Sequence, residues 1–164
     1  MASFDVVCKV DMQEIDNAVN LVLRELKNRY DFKGAIFSLE IKNKDNQIII
    51  NAEDDYKLSQ IQGSLKANVV KRGIDVKALE FGKEESASHN SIRQTVKIKQ
   101  GIDQESAKKV VKEIKNRKLK KIQASIRGDE LRVEGKNKDD LQEVISMIKS
   151  LDLDLPLQFI NFRS

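Results

Sequence analysis

The sequence of 164 residues has one cysteine, one histidine, one proline and no tryptophan. A lone Cys8 excludes an internal disulfide and any zinc cage built from cysteines. His89 has no second His or Cys near it, which leaves a transition metal without its usual ligands, so no metal or other cofactor is expected. No window approaches the roughly 18 consecutive apolar residues of a membrane span. The opening MASFDVVCKV lacks both the basic and the long apolar region of a signal peptide, so the reading is a cytoplasmic protein that makes no use of a membrane. What is present is ordinary for a folded chain, 40% hydrophobic and 34% charged, with room for one medium domain or two small ones and little scope for disorder.

Catalytic groups are scarce as well. Glu134-Gly135-Lys136-Asn137 lacks the first glycine and the Ser or Thr of a phosphate-binding loop and reads as a turn entering a helix. His89 stands among Ser88 and Ser91 with no acid at the spacing of a triad. Glu53-Asp54-Asp55 falls where a helix should begin, so capping and dipole complementarity explain it. Cys8, in an apolar strand, reads as a packed small hydrophobe. Without an acid and base pair or an activated nucleophile, the chain is not expected to be an enzyme.

An internal repeat organises the sequence. Phe4, Val6, Asp11, Ile15, Ala18, Val19 and Val22 superpose on Val96, Ile98, Asp103, Ala107, Val110, Val111 and Ile114 at an offset of 92. Later positions match at offsets of 85 and 83, the lost residues falling in connections where length changes cost little. Each half reads strand, helix, strand, strand, helix, strand: 3–10, 12–29, 36–42, 47–52, 55–71 and 76–81, then 93–99, 103–117, 120–127, 130–134, 138–150 and 157–162. Asn43-Lys44-Asp45-Asn46 and Gly128-Asp129 supply turn chemistry for the middle hairpins, and Gly73 a helix C-cap. The expected fold is therefore α+β, two tandem ferredoxin-like βαββαβ domains, each a four-stranded antiparallel sheet with two helices on one face. They occupy 1–82 and 91–164, joined by a polar linker at 83–90. A repeat does not prove that each unit is closed, so the terminal strands, Ser3 to Val10 and Leu157 to Phe162, are candidates for exchange between sheets.

Charge divides unevenly between the halves. Residues 1–90 hold 13 Lys+Arg against 15 Asp+Glu, residues 91–164 hold 17 against 11, and such asymmetry suits a second half that meets an anion. By strand parity, the face of the second sheet that no helix covers would carry Lys97, Lys99, Arg127 and Arg132 with Gln123 and Ser125. That is a phosphate-binding inventory, although the central strands offer no aromatic for stacking a base. In the first half, Val7 and Ile49 make the same face partly apolar, which implies that something covers it. A second basic surface follows the third helix, Lys108, Lys109, Lys112, Lys115, Arg117, Lys118, Lys120 and Lys121, with a solvated helix back as its plainer explanation.

Particular strings add to this reading. Ser3-Phe4-Asp5-Val6-Val7, Tyr30-Asp31-Phe32-Lys33-Gly34, Lys71-Arg72-Gly73, Lys99-Gln100-Gly101-Ile102, Gly128-Asp129-Glu130-Leu131-Arg132-Val133 and the ending Pro156-Leu157-Gln158-Phe159-Ile160-Asn161-Phe162-Arg163 together resemble the bacterial YajQ family along the whole chain. Cys8 departs from an expected Ser. The resemblance implies two ferredoxin-like domains and a cytosolic nucleotide-binding protein, with purine nucleotides, cyclic di-GMP and RNA as ligands proposed within the family and no catalytic residues to carry over. Within the shared strings, Phe32 is expected to anchor, Gly34 to allow a tight backbone, and Lys33 and Arg163 to offer cations to a ligand. Two expectations stand: a nucleotide-binding protein without catalysis, using Lys97, Lys99, Gln123, Ser125, Arg127, Arg132, Lys33 and Arg163, or an adaptor whose sheet faces meet each other or a protein partner. The oligomeric state is open.

Overall fold

A computed structural model of the chain describes residues 1–117, 119 and 121–164; Lys118 and Lys120 of the basic run lie outside the described residues. The elements are β1 (Ala2–Val7), α1 (Met12–Lys27), β2 (Phe37–Lys42), β3 (Gln47–Ala52), α2 (Asp55–Lys71), β4 (Leu79–Ser86), β5 (Ile92–Ile98), α3 (Gln104–Asn116), β6 (Gln123–Arg127), β7 (Glu130–Gly135), α4 (Lys138–Ser150) and β8 (Gln158–Arg163). Local chemistry sets the helix starts: the side chains of Asp11, Asp54, Asp103 and Asn137 accept from the amides of Gln13, Lys57, Ser106 and Asp140, each filling an otherwise orphaned donor. The acidic cluster at Glu53-Asp54-Asp55 thus contains a helix cap, and Gly73 ends α2 at a φ of 82°.

The elements build an α+β protein with two antiparallel four-stranded sheets and four helices, but the chain does not divide where the repeat divides. The sheet orders are β6-β7-β1-β8 and β2-β3-β5-β4. Each half has surrendered its first strand to the other: β1 lies between β7 and β8, and β5 lies between β3 and β4. One compact unit is discontinuous, Met1–Lys9 with Gln100–Ser164; the other is contiguous, Val10–Lys99. In place of a linker at 83–90, β4 runs on to Ser86 and turns through Ser88–Asn90 into β5, with Ser86 opposite Ile92. The register of this hairpin shifts at a bulge between Phe81 and Glu84, and a side chain at Gly82 would meet the Thr95 carbonyl oxygen at 2.8 Å. Of the two terminal strands named as candidates, the first is exchanged; β8 stays with its own half.

Exchange works because the two first strands are interchangeable in pattern. Phe4 and Val6 of β1 enter the core of the discontinuous unit beside Leu131, Val133, Val110, Ile114, Val144 and Ile148, all within 3% of full burial. Val96 and Ile98 of β5 do the same beside Ile48, Ile50, Ile15, Val22, Ile61 and Leu65. Between α1 and α2, Ser64 Oγ and Asn68 Nδ2 donate to Glu25 Oε2 at 2.7 and 2.9 Å, which holds that carboxyl below its ordinary range.

A second device ties β1 to its adopted neighbours. Asp5, 6% exposed, accepts from Arg132 Nε on β7 at 3.0 Å and from Asn161 Nδ2 on β8 at 2.8 Å. Asn161 reaches it from a bulge, where the chain takes a φ of 58° that asparagine tolerates better than most residues. The Arg132 bond chiefly, then the Asn161 bond, hold the Asp5 carboxyl below the usual aspartate range against the burial that would raise it.

Two outcomes follow from this architecture. A fragment of residues 10–99 contains every strand of its sheet and should melt cooperatively, whereas 91–164 lacks its central strand and should not. Restoring residues 1–9 ahead of 100–164 should rescue the latter, because Gly101 N already donates to Cys8 O at 2.7 Å and the join needs little linker. Circular dichroism melts of the three fragments decide this, and a folded 91–164 fragment would contradict the exchange. In the full chain, Asp5→Asn should cost roughly 1–3 kcal/mol by disturbing a buried charge-assisted network. Since a depressed carboxyl stabilises above its unfolded value of about 4 and loses that contribution as pH falls through the folded one, the variant's stability should also fall less steeply on acidification. Denaturant titrations between neutral and acid pH measure both effects.

Candidate binding face of the discontinuous unit

The exchange rearranges the expected binding face. Gln123, Ser125 and Arg127 on β6, Arg132 on β7 and Arg163 on β8 remain in one sheet, while Lys97 and Lys99 go with β5 into the contiguous unit. There Lys97 is opposite Gln47 and Glu80, and the Lys99 amide donates to Ala78 O at 2.9 Å. Lys33, also in the contiguous unit, is exposed just after the turn Tyr30–Phe32; Phe32 is buried and Gly34 takes a φ of 76°, as expected of that string. The expected convergence of Lys97 and Lys99 with Arg127 and Arg132 is therefore corrected, because strand pairing, not strand parity, decides which side chains share a sheet.

In place of two lysines, β1 contributes Ser3 and Asp5. The first row across the face reads Gln123, Glu134, Ser3, Arg163, and the next reads Ser125, Arg132, Asp5, Ile160. Arg127 is opposite Glu130, which itself pairs with Lys9 at 3.5 Å. Each arginine thus has an acid nearby, and Arg132 is committed to Asp5, which in turn makes its guanidinium harder to deprotonate. Arg127 and Arg163 carry no ion pair among the described residues, both are exposed, and they stand on the two edge strands. Counted by unit, the charge asymmetry shrinks: 15 Lys+Arg against 12 Asp+Glu in the discontinuous unit, 15 against 14 in the contiguous one.

Val7 is also placed differently. It belongs to the β1 sheet, not beside Ile49, so the two cannot form one apolar patch; Ile49 alone, half-buried between Glu40 and Thr95, remains on the face of the contiguous unit. Cys8 is buried at 1% exposure, and His89 sits on the β4–β5 turn at a φ of 58°. Among the described residues no His, Cys, Asp and Glu cluster could hold a metal ion, and no helix is long and apolar enough to cross a membrane.

One residue escaped sequence reasoning. Phe162, 57% exposed, stacks on Phe4 with ring centroids 5.7 Å apart and leaves its outer face open. Its alternation with Ile160 and Arg163 is broken by the bulge at Asn161, so parity along β8 could not place it.

The chain is similar to known proteins over nearly its whole length. Residues 2–163 match the family model described as nucleotide-binding protein YajQ-like. Among similar proteins, one of Rhodospirillum centenum named as nucleotide-binding is 51% identical over 163 residues, 99% of either chain. A nucleotide-binding protein of Syntrophotalea carbinolica is 52% identical over 164 residues, 100% of either chain, and one of Chloroherpeton thalassium is 48% identical over 161 residues, 98% of this chain and 97% of its own. A family match over nearly the whole length, supported by relatives at about half identity and equal size, shows that this chain belongs to the YajQ family.

Proposed function

We propose that the chain is a nucleotide-binding protein without catalytic activity, which takes a phosphate-containing ligand (a purine nucleotide, cyclic di-GMP or RNA) on the exposed β6 side of the open sheet face of the discontinuous unit. The observation that carries this reading is β6: an edge strand on which Arg127 has no ion pair among the described residues, with the Ser125 hydroxyl and the Gln123 amide following at alternate positions. A guanidinium, a hydroxyl and the unpaired amides of an edge strand are together a phosphate-binding set. Arg132 contributes field more than contact, being bonded to Asp5, and Arg163 offers a second cation at the far edge. Full-length kinship with proteins named as nucleotide-binding supports the ligand class. Lys97, Lys99 and Lys33 belong to the other unit and take no part in this face.

A second reading, a protein-interaction adaptor, is favoured by the contiguous unit, where Tyr30 is 91% and Ile36 79% exposed. Exposed tyrosine and aliphatic side chains of this kind suit a protein interface.

Salt separates the two. Phosphate contacts give an affinity that falls steeply with ionic strength, whereas an apolar docking surface is nearly indifferent to it. Calorimetric titration of purine nucleotides, cyclic di-GMP and a short RNA should show binding of at least one. Arg127→Gln should weaken that binding by about 1.5–3 kcal/mol, as for a lost charge-assisted contact, and lower the salt slope, with the melting temperature unchanged. Cys8→Ser and His89→Ala should leave affinity as it was. No binding across the panel would reject the proposal, and unaltered affinity in Arg127→Gln would remove β6 from it.

A further inference from the structure

The discontinuous unit has a cavity of about 290 Å³ where the first turn of α4 meets the end of β8, lined by Ser3, Lys138, Leu141, Gln142, Phe162 and Arg163. Its chemistry is mixed in a particular way. Phe162 presents an aromatic ring whose inner face is already stacked on Phe4, so the ring is held in place while its outer face stays available. Lys138 and Arg163 are exposed and form no ion pair among the described residues. The Gln142 amide can donate and accept, and the Ser3 hydroxyl likewise. The first turn of α4 also carries Asp139 and Asp140, which complement the helix end themselves, so an anion here would be drawn by the two cations and not by the helix terminus.

We propose that this cavity holds one nucleoside monophosphate unit, the base stacked on Phe162 with Gln142 at its edge, and the phosphate on Lys138 and Arg163. The proposal rests on the nucleotide-binding reading above but places a mononucleotide at the β8 edge of the sheet, the edge opposite β6, where Phe162 offers the stacking surface that the β6 side lacks. Base stacking on an aromatic ring is the sequence-tolerant component of nucleotide binding, and cations beside it give the salt-dependent one. The volume of about 290 Å³ is just below the usual span of small-molecule sites, about 300–1,000 Å³, and suits a single nucleotide unit. The unit would come either free or as the end of an RNA chain, both presenting the same base and phosphate.

The test uses the full chain with three probes, GMP, AMP and a hexa-adenylate RNA, titrated at two salt concentrations. Lys138→Gln, an exposed change that leaves the core intact, should weaken binding about tenfold and reduce the salt slope by about one. Phe162→Leu, which keeps an apolar contact on Phe4, should weaken it about tenfold with the salt slope kept, a melting curve confirming that the variant is folded. Loss with GMP or AMP identifies a free nucleotide as the ligand, and loss with the RNA alone identifies a chain end. If the parent binds a probe and both variants bind it equally well, the cavity is not the site, although nucleotide binding stands. If the parent binds none of the probes, the reading on which the cavity rests fails with it.

Discussion

The pairing of β1 between β7 and β8 is the constraint on which the rest depends. A central strand must satisfy backbone groups on both edges and bury one face, so whichever segment occupies that place decides which sheet closes and what lies on its open side. Here the occupant comes from the far end of the chain: Asp5 and Arg132 are separated by 127 residues and Asp5 and Asn161 by 156. The carboxyl that joins them sits at the centre of the open face. It secures the adopted strand and also removes one arginine from the set of free cations, so the same interaction shapes both the fold and the candidate site.

Much of this fold was legible locally. The start of α2 was marked by the capping acid Asp54, and alternating apolar residues marked strands where β1, β3, β5 and β7 lie. What could not be read was which first strand pairs with which third strand. The two candidates have the same pattern, a polar residue alternating with Phe4 and Val6 in one case and Val96 and Ile98 in the other, and alternation does not choose between them. Sequence periodicity reports which face a residue takes and is silent about its neighbours. The expected site failed along that line: Arg127, Arg132, Gln123, Ser125 and Arg163 stayed together, and Lys97 and Lys99 left with their strand.

The same reasoning explains why charge counted by sequence half overstated the basic character of one domain. Moving 91–99 with Arg93, Lys97 and Lys99 into the contiguous unit, and Lys9 and Asp5 into the other, nearly equalises the two. A surface that is not strongly basic overall cannot rely on long-range attraction, and recognition must then come from a few unpaired groups at close range. Arg127 and Arg163, on the two edge strands, and Lys138, at the start of α4, are such groups.

Exchange also changes the cost of closing the second sheet. The contiguous unit needs no residue outside 10–99, so it can form while the rest of the chain is still unstructured. Once it has, its ninety residues no longer separate β1 from β7 as free chain, and the span to be closed shortens accordingly. With closure entropy scaling as (3/2)RT ln n, that removes about 1 kcal/mol from the cost of bringing Asp5 to Arg132. The hydrogen bond from Gly101 N to Cys8 O, at 2.7 Å, marks where the two strands of the crossing meet. In a chain whose contiguous unit forms first, the long-range pairing of β1 with β7 becomes a comparatively local one.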